Sequence, residues 1–347
     1  MDPEREVVVI TGPGSGVGRA IARRFAGPGV AIGLLGRNED SLRGARDEIE
    51  RAGGEALVLP TDVADADAVE AAADAVEKAY GPIDVWVNNS MTTVFAFFAD
   101  ISPDEFRRAT EVTYLGSIWG FRSALKRMRD RDRGVIVQVG SAMAYRGIPL
   151  QAPYCGAKQG LKGFFESIRC ELRNEGSNVH VTMVQLPGLN TPQFDHCRSK
   201  MPKHPRPVAP VYQPEIAADA VHWAARHRRR EVWVGIPTAY TIVGNKIAPW
   251  IAEWYLARTA VKGQQGDEPP TAKNAAGNLD DPHGSDPGAH GSFDDEAVDS
   301  SAELWISEHK SQLGIAALGA AALAGAGFML AAGRDKPAKT RRSKARS

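Results

Sequence analysis

Tyr154 and Lys158 stand four residues apart. On a helix this spacing puts both side chains on one face. A nearby ammonium favours the phenolate and lowers a tyrosine pKa that starts at about 10, which suits the phenol to general acid/base chemistry. Ser141 lies thirteen residues before the tyrosine, at the end of an apolar run, where its hydroxyl can bond a substrate carbonyl oxygen. Such Tyr-Lys pairs also occur by chance on many helices, so the prediction depends on the rest of the chain.

A glycine-rich turn follows the first apolar run of the chain. Its glycines Gly12, Gly16 and Gly18 meet the spacing TGxxxGxG, with Ser15 among them. The turn stands between a predicted strand, Val7–Ile10, and a predicted helix, which is the context that a dinucleotide site needs. Glycines let the backbone approach a pyrophosphate, and the helix N-terminus offers free N–H groups. An ordinary tight turn is the alternative interpretation.

The end of the second predicted strand bears on the choice of cofactor. Sites specific for NAD usually place an acid there to hold the ribose 2′-OH. Here Gly36 fills that place, followed by Arg37 and Asn38. A guanidinium matches a 2′-phosphate in charge and geometry, so the sequence favours NADP(H) over NAD(H); a solvated arginine is the alternative. Asp62, after the third strand, either accepts from the adenine amino group or caps the next helix.

Apolar β-rich runs alternate with helical stretches through most of the chain. The predicted strands are Val7–Ile10, Val30–Leu35, Ala56–Leu59, Ile83–Val87, Val135–Val139, Val179–Val184 and Glu231–Val234. Their nearly continuous apolar cores indicate burial on both faces. The helical stretches include one predicted long helix over Pro103–Met128. The alternation predicts an α/β fold, a doubly wound parallel sheet of the Rossmann-like type with helices on both faces.

Taken together, the motifs closely resemble those of the short-chain dehydrogenase/reductase family. The resemblance runs from Glu6 to Val234. It is carried by the glycine-rich turn, Asp62-Val63, Asn88-Asn89, Ser141, Tyr154-x-x-x-Lys158 and Pro187-Gly188 with Thr191. It implies a hydride transfer between nicotinamide and a carbonyl or secondary alcohol. Tyr154 would be the acid/base, Lys158 would lower its pKa and hold the nicotinamide ribose, and Ser141 would orient the carbonyl.

The resemblance also implies a set of cofactor contacts. They are Gly12, Ser15, Gly16, Gly18, Arg37, Asn38, Asp62, Val63, Asn88, Tyr154, Lys158, Pro187, Gly188 and Thr191. In such enzymes the segment after Pro187-Gly188 closes over the nicotinamide carboxamide.

The chain departs from the family pattern at two places. The family's Asn-Asn-Ala-Gly reads Asn-Asn-Ser-Met here and ends in Met91, which is predicted to change the cofactor fit or to point toward the pocket. The family's fourth catalytic residue, an asparagine, is replaced by Thr113. A threonine hydroxyl can bond a water or a backbone carbonyl, so Thr113 is predicted to stand in for asparagine in a proton relay to Lys158.

The substrate side of the predicted site is apolar and aromatic. Its candidate residues are Met143, Ala144, Tyr145, Leu189, Phe194 and the loop Gln193–Tyr212. They favour a hydrophobic carbonyl or alcohol as the substrate, and ordinary packing is the alternative for each of them.

Composition narrows the class of protein further. The chain has 347 residues, 43% of them hydrophobic, and zero formal net charge, which argues against binding nucleic acid through bulk charge. Its three cysteines form no CxxC pair and its histidines show no metal spacing, so no metal is expected. The cysteine usage fits a reduced, cytoplasmic protein, and a homo-oligomer is expected.

Composition changes sharply toward the C-terminus. The predicted organisation is a Rossmann-like domain over 1–262, a disordered acidic linker over 263–302, an apolar Ala/Gly-rich helix over 303–333 and a basic tail over 334–347. Residues 313–333 carry no charge, and they are long enough to cross a hydrocarbon core of about 30 Å, although alanine is nearly neutral toward insertion. Association of 313–347 with a membrane surface and packing against protein both stay open.

Two hypotheses for the function follow. The first is an NADP(H)-dependent oxidoreductase acting on a small-molecule carbonyl or alcohol. The second is an NADP(H)-binding sensor or regulatory module with little turnover. The catalytic residues Ser141, Tyr154 and Lys158 favour the first, whereas Thr113 and Met91 speak for the second.

Overall fold

The computed structural model describes residues 5–282, 284–301 and 304. The chain divides into two compact units, Met1–Leu304 and Trp305–Ser347, and every described residue belongs to the first. The predictions for the apolar segment 313–333 and the basic tail 334–347 therefore lie outside the described residues. Within the described part of the chain, no helix is both long and apolar enough to cross a membrane.

Seven parallel strands form the central sheet, and two short strands pair beside it. In chain order the strands are β1 Glu6–Thr11, β2 Val30–Gly36, β3 Glu55–Pro60, β4 Val85–Asn88, β5 Val94–Phe95, β6 Val135–Val139, β7 His180–Gln185, β8 Arg198–Ser199 and β9 Glu231–Trp233. The sheet runs in the order β3-β2-β1-β4-β6-β7-β9, while β5 pairs with β8. This order confirms the predicted doubly wound parallel sheet.

Helices connect the strands and cover both faces of the sheet. They are α1 Gly16–Phe25, α2 Glu39–Arg51, α3 Ala66–Tyr80, α4 Pro103–Thr110, α5 Gly116–Asp130, α6 Ala152–Asn174, α7 Gln193–His196, α8 Pro214–Arg226, α9 Ile236–Ile247, α10 Pro249–Gly263 and α11 Ala272–Ala276. Short 3₁₀ turns occupy Phe98–Asp100, Ala142–Ala144 and Asp294–Glu296.

The apolar strands form two cores because successive side chains point to opposite faces. In β1, Val8 and Ile10 pack in one buried cluster, which also receives side chains of α1 and α8. Val7 and Val9 pack in the other, with side chains of α3, α5 and α6. Burial on both faces explains why these strands read as continuous apolar runs.

The predicted long helix over Pro103–Met128 is two α-helices joined by a π-helical turn at Glu111–Leu115. Thr113 lies in this turn, fully buried, and its hydroxyl bonds both backbone groups of Thr92. The sequence predicted one continuous helix because the apolar period of a helix does not reveal one inserted residue.

Residues 264–282 and 284–301, predicted as a disordered linker, lie against the domain in the structure. We call 278–282 and 284–288 the strap. Leu279 is 1% exposed in an apolar cluster with Val94 and Ala109, and Asp286 pairs with Arg19 through two contacts of 3.0 Å. One buried leucine, ion pairs such as Arg19–Asp286 and Arg198–Asp280, and backbone hydrogen bonds hold a segment that is poor in large apolar residues.

Candidate active site

A cavity of about 660 Å³ lies at the carboxyl ends of the central strands. The sheet order reverses between β1 and β4, and ligands of doubly wound folds bind at such a switch point. Residues that follow β1, β4, β6 and β7 all line this cavity. We call its two ends the Tyr154 end and the Arg37 end.

The glycine-rich turn forms one wall of the cavity, and Gly12, Ser15, Gly16 and Gly18 all line it. Gly12 and Gly16 adopt φ of +68° and +55°, in the left-handed region that favours glycine. A Cβ on Gly18 would lie 1.9 Å from the Gly12 carbonyl oxygen, so only glycine fits there. The turn thus opens α1 with bare backbone facing the cavity, as a pyrophosphate requires.

The Tyr154 end brings the three predicted catalytic side chains together. Tyr154 and Lys158 lie on α6, with the Lys158 Nζ 5.5 Å from the centre of the Tyr154 ring. Ser141 follows β6 and bonds the Tyr154 side chain through its own. All three line the cavity. This arrangement can hold a carbonyl oxygen between a serine hydroxyl and a phenol.

Burial dominates the electrostatics of this end. It raises the pKa of Tyr154 to about 12, with the hydrogen bond from Ser141 acting against it. Burial also lowers the pKa of Lys158 to about 8. The sequence predicted a lowered tyrosine pKa; the pKa of Tyr154 is raised instead, because its phenol is buried away from water. Near neutral pH the phenol is therefore protonated and able to act as an acid.

Lys158 is held by the sheet itself. Lys158 is 2% exposed, and its ammonium donates to the backbone carbonyl of Val139 in β6 at 2.8 Å. An ammonium carries three donors, so others stay available to the cavity that the side chain lines. This contact fixes the lysine beside the tyrosine.

Thr113 has no place in the cavity lining. Its hydroxyl donates to the Thr92 carbonyl at 2.9 Å and accepts from the Thr92 amide at 3.0 Å. Since a threonine hydroxyl has one proton to donate, that proton is committed away from Lys158. The predicted relay role does not fit these two bonds. Thr113 instead fixes the segment after β4, and Met91 and Thr92 of that segment line the cavity.

Asn88, predicted as a cofactor contact, lies in the core, and its neighbour Asn89 lines the cavity. Asn88 is 1% exposed and bonds the Trp86 indole and the Ser117 carbonyl, at 2.8 and 3.1 Å, outside the cavity lining. Asn89 lines the cavity and donates to the carbonyls of Thr11 and Gly12. Asn88 has this place because the alternation of β4 turns its side chain into the core.

The Arg37 end is crossed by the strap. Arg37 donates to the carbonyls of Asn278, Leu279 and Asp280 at 2.5, 3.1 and 2.6 Å. Asn38 caps α2 and also donates to Ser285 at 3.3 Å. Arg37 still lines the large cavity, and it shares with Asn38 a smaller adjoining cavity of about 150 Å³.

Asp62 lines the same end and has two partners. It accepts from the Ala64 amide at 3.0 Å, which matches the capping alternative, and pairs with Arg108 at 2.5 Å. Burial alone would raise the pKa of Asp62, but the hydrogen bonds from Arg108 and the Ala64 amide, together with the charges of Arg108 and Arg37, leave the pKa lowered. Arg108 also donates to the Leu279 carbonyl at 3.2 Å, so the strap reaches this pair as well.

The remaining predicted residues divide between the cavity and the core. The cavity lining includes Val63, Pro187, Gly188, Thr191, Met143, Leu189 and Phe194. Ala144 is buried outside the lining, and Tyr145 turns its hydroxyl to Glu231 at 2.8 Å.

Several residues that line the cavity were not predicted from the sequence. Tyr240, Ile251 and Tyr255 of α9 and α10 line the mouth of the cavity, as does Arg146 beside them. The Arg146 Nε is buried, with no hydrogen-bond partner among the described residues. The helical spacing of apolar residues after β9 could have indicated Tyr240, Ile251 and Tyr255, whereas nothing in the sequence indicates Arg146.

Comparison with known proteins agrees with the fold and identifies the family. A family model described as short chain dehydrogenase matches residues 6–202. The chain belongs to the short-chain dehydrogenase/reductase family. It is an oxidoreductase of that family, which uses a nicotinamide dinucleotide.

Individual relatives show how far the similarity extends. An uncharacterized oxidoreductase of Bacillus subtilis is 31% identical over 268 residues, covering 76% of this chain and 75% of the relative. The 3-dehydrosphinganine reductase of Danio rerio is 31% identical over 222 residues, covering 62% and 66%. The structure of an alcohol dehydrogenase from the archaeon Thermococcus sibiricus, complexed with 5-hydroxy-NADP, has a TM-score of 0.58 at 25% identity, covering 66% of this chain and 95% of that one.

Proposed function

We propose that this protein is an NADP(H)-dependent oxidoreductase that interconverts a hydrophobic carbonyl and the corresponding secondary alcohol. The observation that carries the proposal is the joining, in one cavity, of Ser141, Tyr154 and Lys158 with the glycine-rich turn. The cofactor would lie along the cavity, with its pyrophosphate at the turn and its nicotinamide near Tyr154. When bound, it supplies or accepts the hydride.

The protein's own residues handle the proton and the carbonyl oxygen. Ser141 holds the oxygen by a hydrogen bond, and Tyr154 gives its phenolic proton to that oxygen as the carbon gains hydride. Because burial raises the pKa of Tyr154 to about 12, the proton is in place at neutral pH, which favours reduction. Lys158 stabilises the phenolate that remains, which solvent then reprotonates.

Arg37 supports the preference for NADP(H). Arg37 lines the cavity, and β2, which it follows, ends in Gly36 at the place of the acid that would hold a ribose 2′-OH. The three strap carbonyls that it now binds are acceptors, as phosphate oxygens are. A 2′-phosphate would take over some of these contacts.

The substrate class is proposed from the lining of the cavity. Its apolar and aromatic lining includes Met143, Leu189, Phe194, Tyr240 and Ile251. The zebrafish relative named above is a reductase whose name denotes a long-chain ketone. Both observations favour an apolar substrate.

Oligomeric state and location are part of the proposal. We expect a homo-oligomer, because members of this family commonly form oligomers. Cys155, Cys170 and Cys197 are all free thiols, which supports the cytoplasm. Association of 313–347 with a membrane surface stays a proposal drawn from the sequence.

The test is a panel of carbonyl and alcohol substrates, with the purified protein and either NADPH or NADH followed at 340 nm. We expect turnover of apolar ketones, with NADPH bound more tightly. Arg37→Asp should reverse the cofactor preference, whereas Arg43→Asp, a matched change of an exposed arginine on α2, should leave it unchanged. Tight NADPH binding without turnover of any substrate would support the sensor hypothesis instead. Equal affinity for both cofactors would contradict the NADP(H) preference.

A further inference from the structure

Helices α9 and α10 expose an unusual number of large apolar side chains. Tyr240, Ile247 and Ile251 are 58%, 71% and 57% exposed, and Trp250 and Trp254 are 66% and 59% exposed. Together with Ile236, Val243 and Tyr255 they form what we call the apolar face of α9–α10. Single exposed apolar residues are common, but a concentration of this size on one helix pair indicates an interaction surface.

The spacing shows that the face is continuous along each helix. In α9 the exposed residues recur at Ile236, Tyr240, Val243 and Ile247, which is the period of one helix side. Ile242, on the other side of the helix, is fully buried. Each helix thus has an anchored side and a free side, so the apolar face follows from the way in which the pair packs on the domain.

The chemistry of the face fits a lipid surface. Tryptophan and tyrosine are the residues enriched where a membrane meets water, because their rings are apolar and each carries one polar group. The basic residues on the two helices are Lys246, Arg258 and Lys262, against one acid, Glu253. Arg258 lies 4.2 Å over the Trp254 ring, which places a cation beside the aromatic stripe. An excess of positive charge favours anionic headgroups.

The face also surrounds the mouth of the cavity. Tyr240, Ile251 and Tyr255 are each more than half exposed and at the same time line the cavity that holds Tyr154. An apolar molecule that left a bilayer at this surface would reach the cavity without crossing water. This second part rests on the proposed function, because it supposes an apolar substrate.

The basic composition of residues 334–347, which lie beyond the described residues, is a second signal for binding to an anionic membrane surface. Residues 334–347 contain seven lysines and arginines and one aspartate. Stable attachment to a membrane surface usually needs two weak signals acting together. An interfacial helix pair and a basic segment satisfy this requirement.

We propose that the apolar face of α9–α10 docks on an anionic lipid bilayer, so that the substrate cavity opens toward the acyl chains. The helix pair lies on the bilayer surface and does not span the bilayer.

The test is flotation of the full-length protein with vesicles of phosphatidylcholine alone or mixed with phosphatidylglycerol. We expect binding to the anionic vesicles. The double variant Trp250→Gln/Trp254→Gln should reduce the bound-to-free ratio about tenfold or more, because two interfacial rings are lost. Phe97→Gln/Phe98→Gln, which changes two exposed aromatic residues outside these helices, should leave it unchanged. A thermal unfolding measurement confirms that each variant is folded.

Three outcomes would overturn the proposal. One is a wild-type protein that ignores both vesicles, and another is equal binding by the wild type and the tryptophan variant. The third is a loss of oligomers by the tryptophan variant, in sedimentation velocity, without loss of vesicle binding, since the face would then join two copies of the chain. Neither tryptophan lines the cavity, so turnover of a water-soluble ketone should persist in the variant. Failure of turnover in the wild type would instead contradict the proposed function.

Discussion

The two ends of the cavity differ in how far apart in the sequence their bonded residues lie. At the Tyr154 end, Ser141, Tyr154 and Lys158 come from adjoining elements, and the lysine is bonded to β6, nineteen residues away. At the Arg37 end, the guanidinium bonds residues more than two hundred positions later. The first end is a fixed arrangement within the domain, whereas the second shares its polar groups with the strap. The predicted catalytic side chains are thus placed by nearby elements, whereas the predicted cofactor contact Arg37 is held by a distant segment.

The largest effect should come from the fixed end. Tyr154→Phe removes the hydroxyl and keeps the ring, so we expect kcat to fall by about 10²–10⁴-fold while NADPH affinity stays nearly unchanged. Tyr145→Phe is the matched control, because its hydroxyl bonds Glu231 outside the cavity. Steady-state kinetics and a binding titration measure both effects. A Tyr154→Phe protein that keeps more than about a tenth of the normal kcat would refute the acid role.

Changing the pH should separate the two titrating groups of this end. Burial lowers the pKa of Lys158 to about 8, so the ammonium is present below that pH and is lost as the pH rises through it. Tyr154, with a pKa of about 12, stays protonated throughout. We therefore expect kcat/KM for reduction to be level below pH 8 and to fall by up to about tenfold per pH unit above it.

Lys158→Arg provides the comparison for this profile. An arginine keeps its charge to a much higher pH. The remaining kcat/KM of this variant should therefore no longer fall above pH 8. A wild-type profile that stays level to pH 10 would show that the lysine charge does not limit reduction.

The smallest effect should come from the strap. Leu279→Ala removes its buried anchor, which should loosen the carbonyls that Arg37 binds and leave the guanidinium freer for a 2′-phosphate. We expect the ratio of NADPH to NADH affinity to rise several-fold, since each hydrogen bond contributes about 0.5–1.5 kcal/mol net. Leu172→Ala, the same truncation in the core under α6, should lower the melting temperature without moving this ratio. A lower ratio in Leu279→Ala would mean that the strap forms part of the cofactor site.

The same contrast explains what the sequence could predict. The sheet, the glycine-rich turn and the Ser-Tyr-Lys arrangement follow from local period and spacing, which act within one or two elements. The contacts of the strap were not predicted because they are one buried leucine, backbone hydrogen bonds and the ion pairs of Asp286 with Arg19 and Asp280 with Arg198, which leave no pattern in composition. The places of Asn88 and Asn89 differ because one step along a strand exchanges core for cavity. The fold and the fixed end are thus predictable, and the long-range contacts are not.

The π-helical turn at Glu111–Leu115 has a consequence for how this chain tolerates insertions and deletions. Such a turn takes up one extra residue within a helix. Deleting one residue here would therefore leave a regular α-helix and keep Phe121 and Ala124 facing the core. Each residue of a regular α-helix turns the chain by about 100°, so the same deletion within α5, before Phe121, would turn these two side chains away from the core. A one-residue deletion should therefore cost less stability at this turn than within α5.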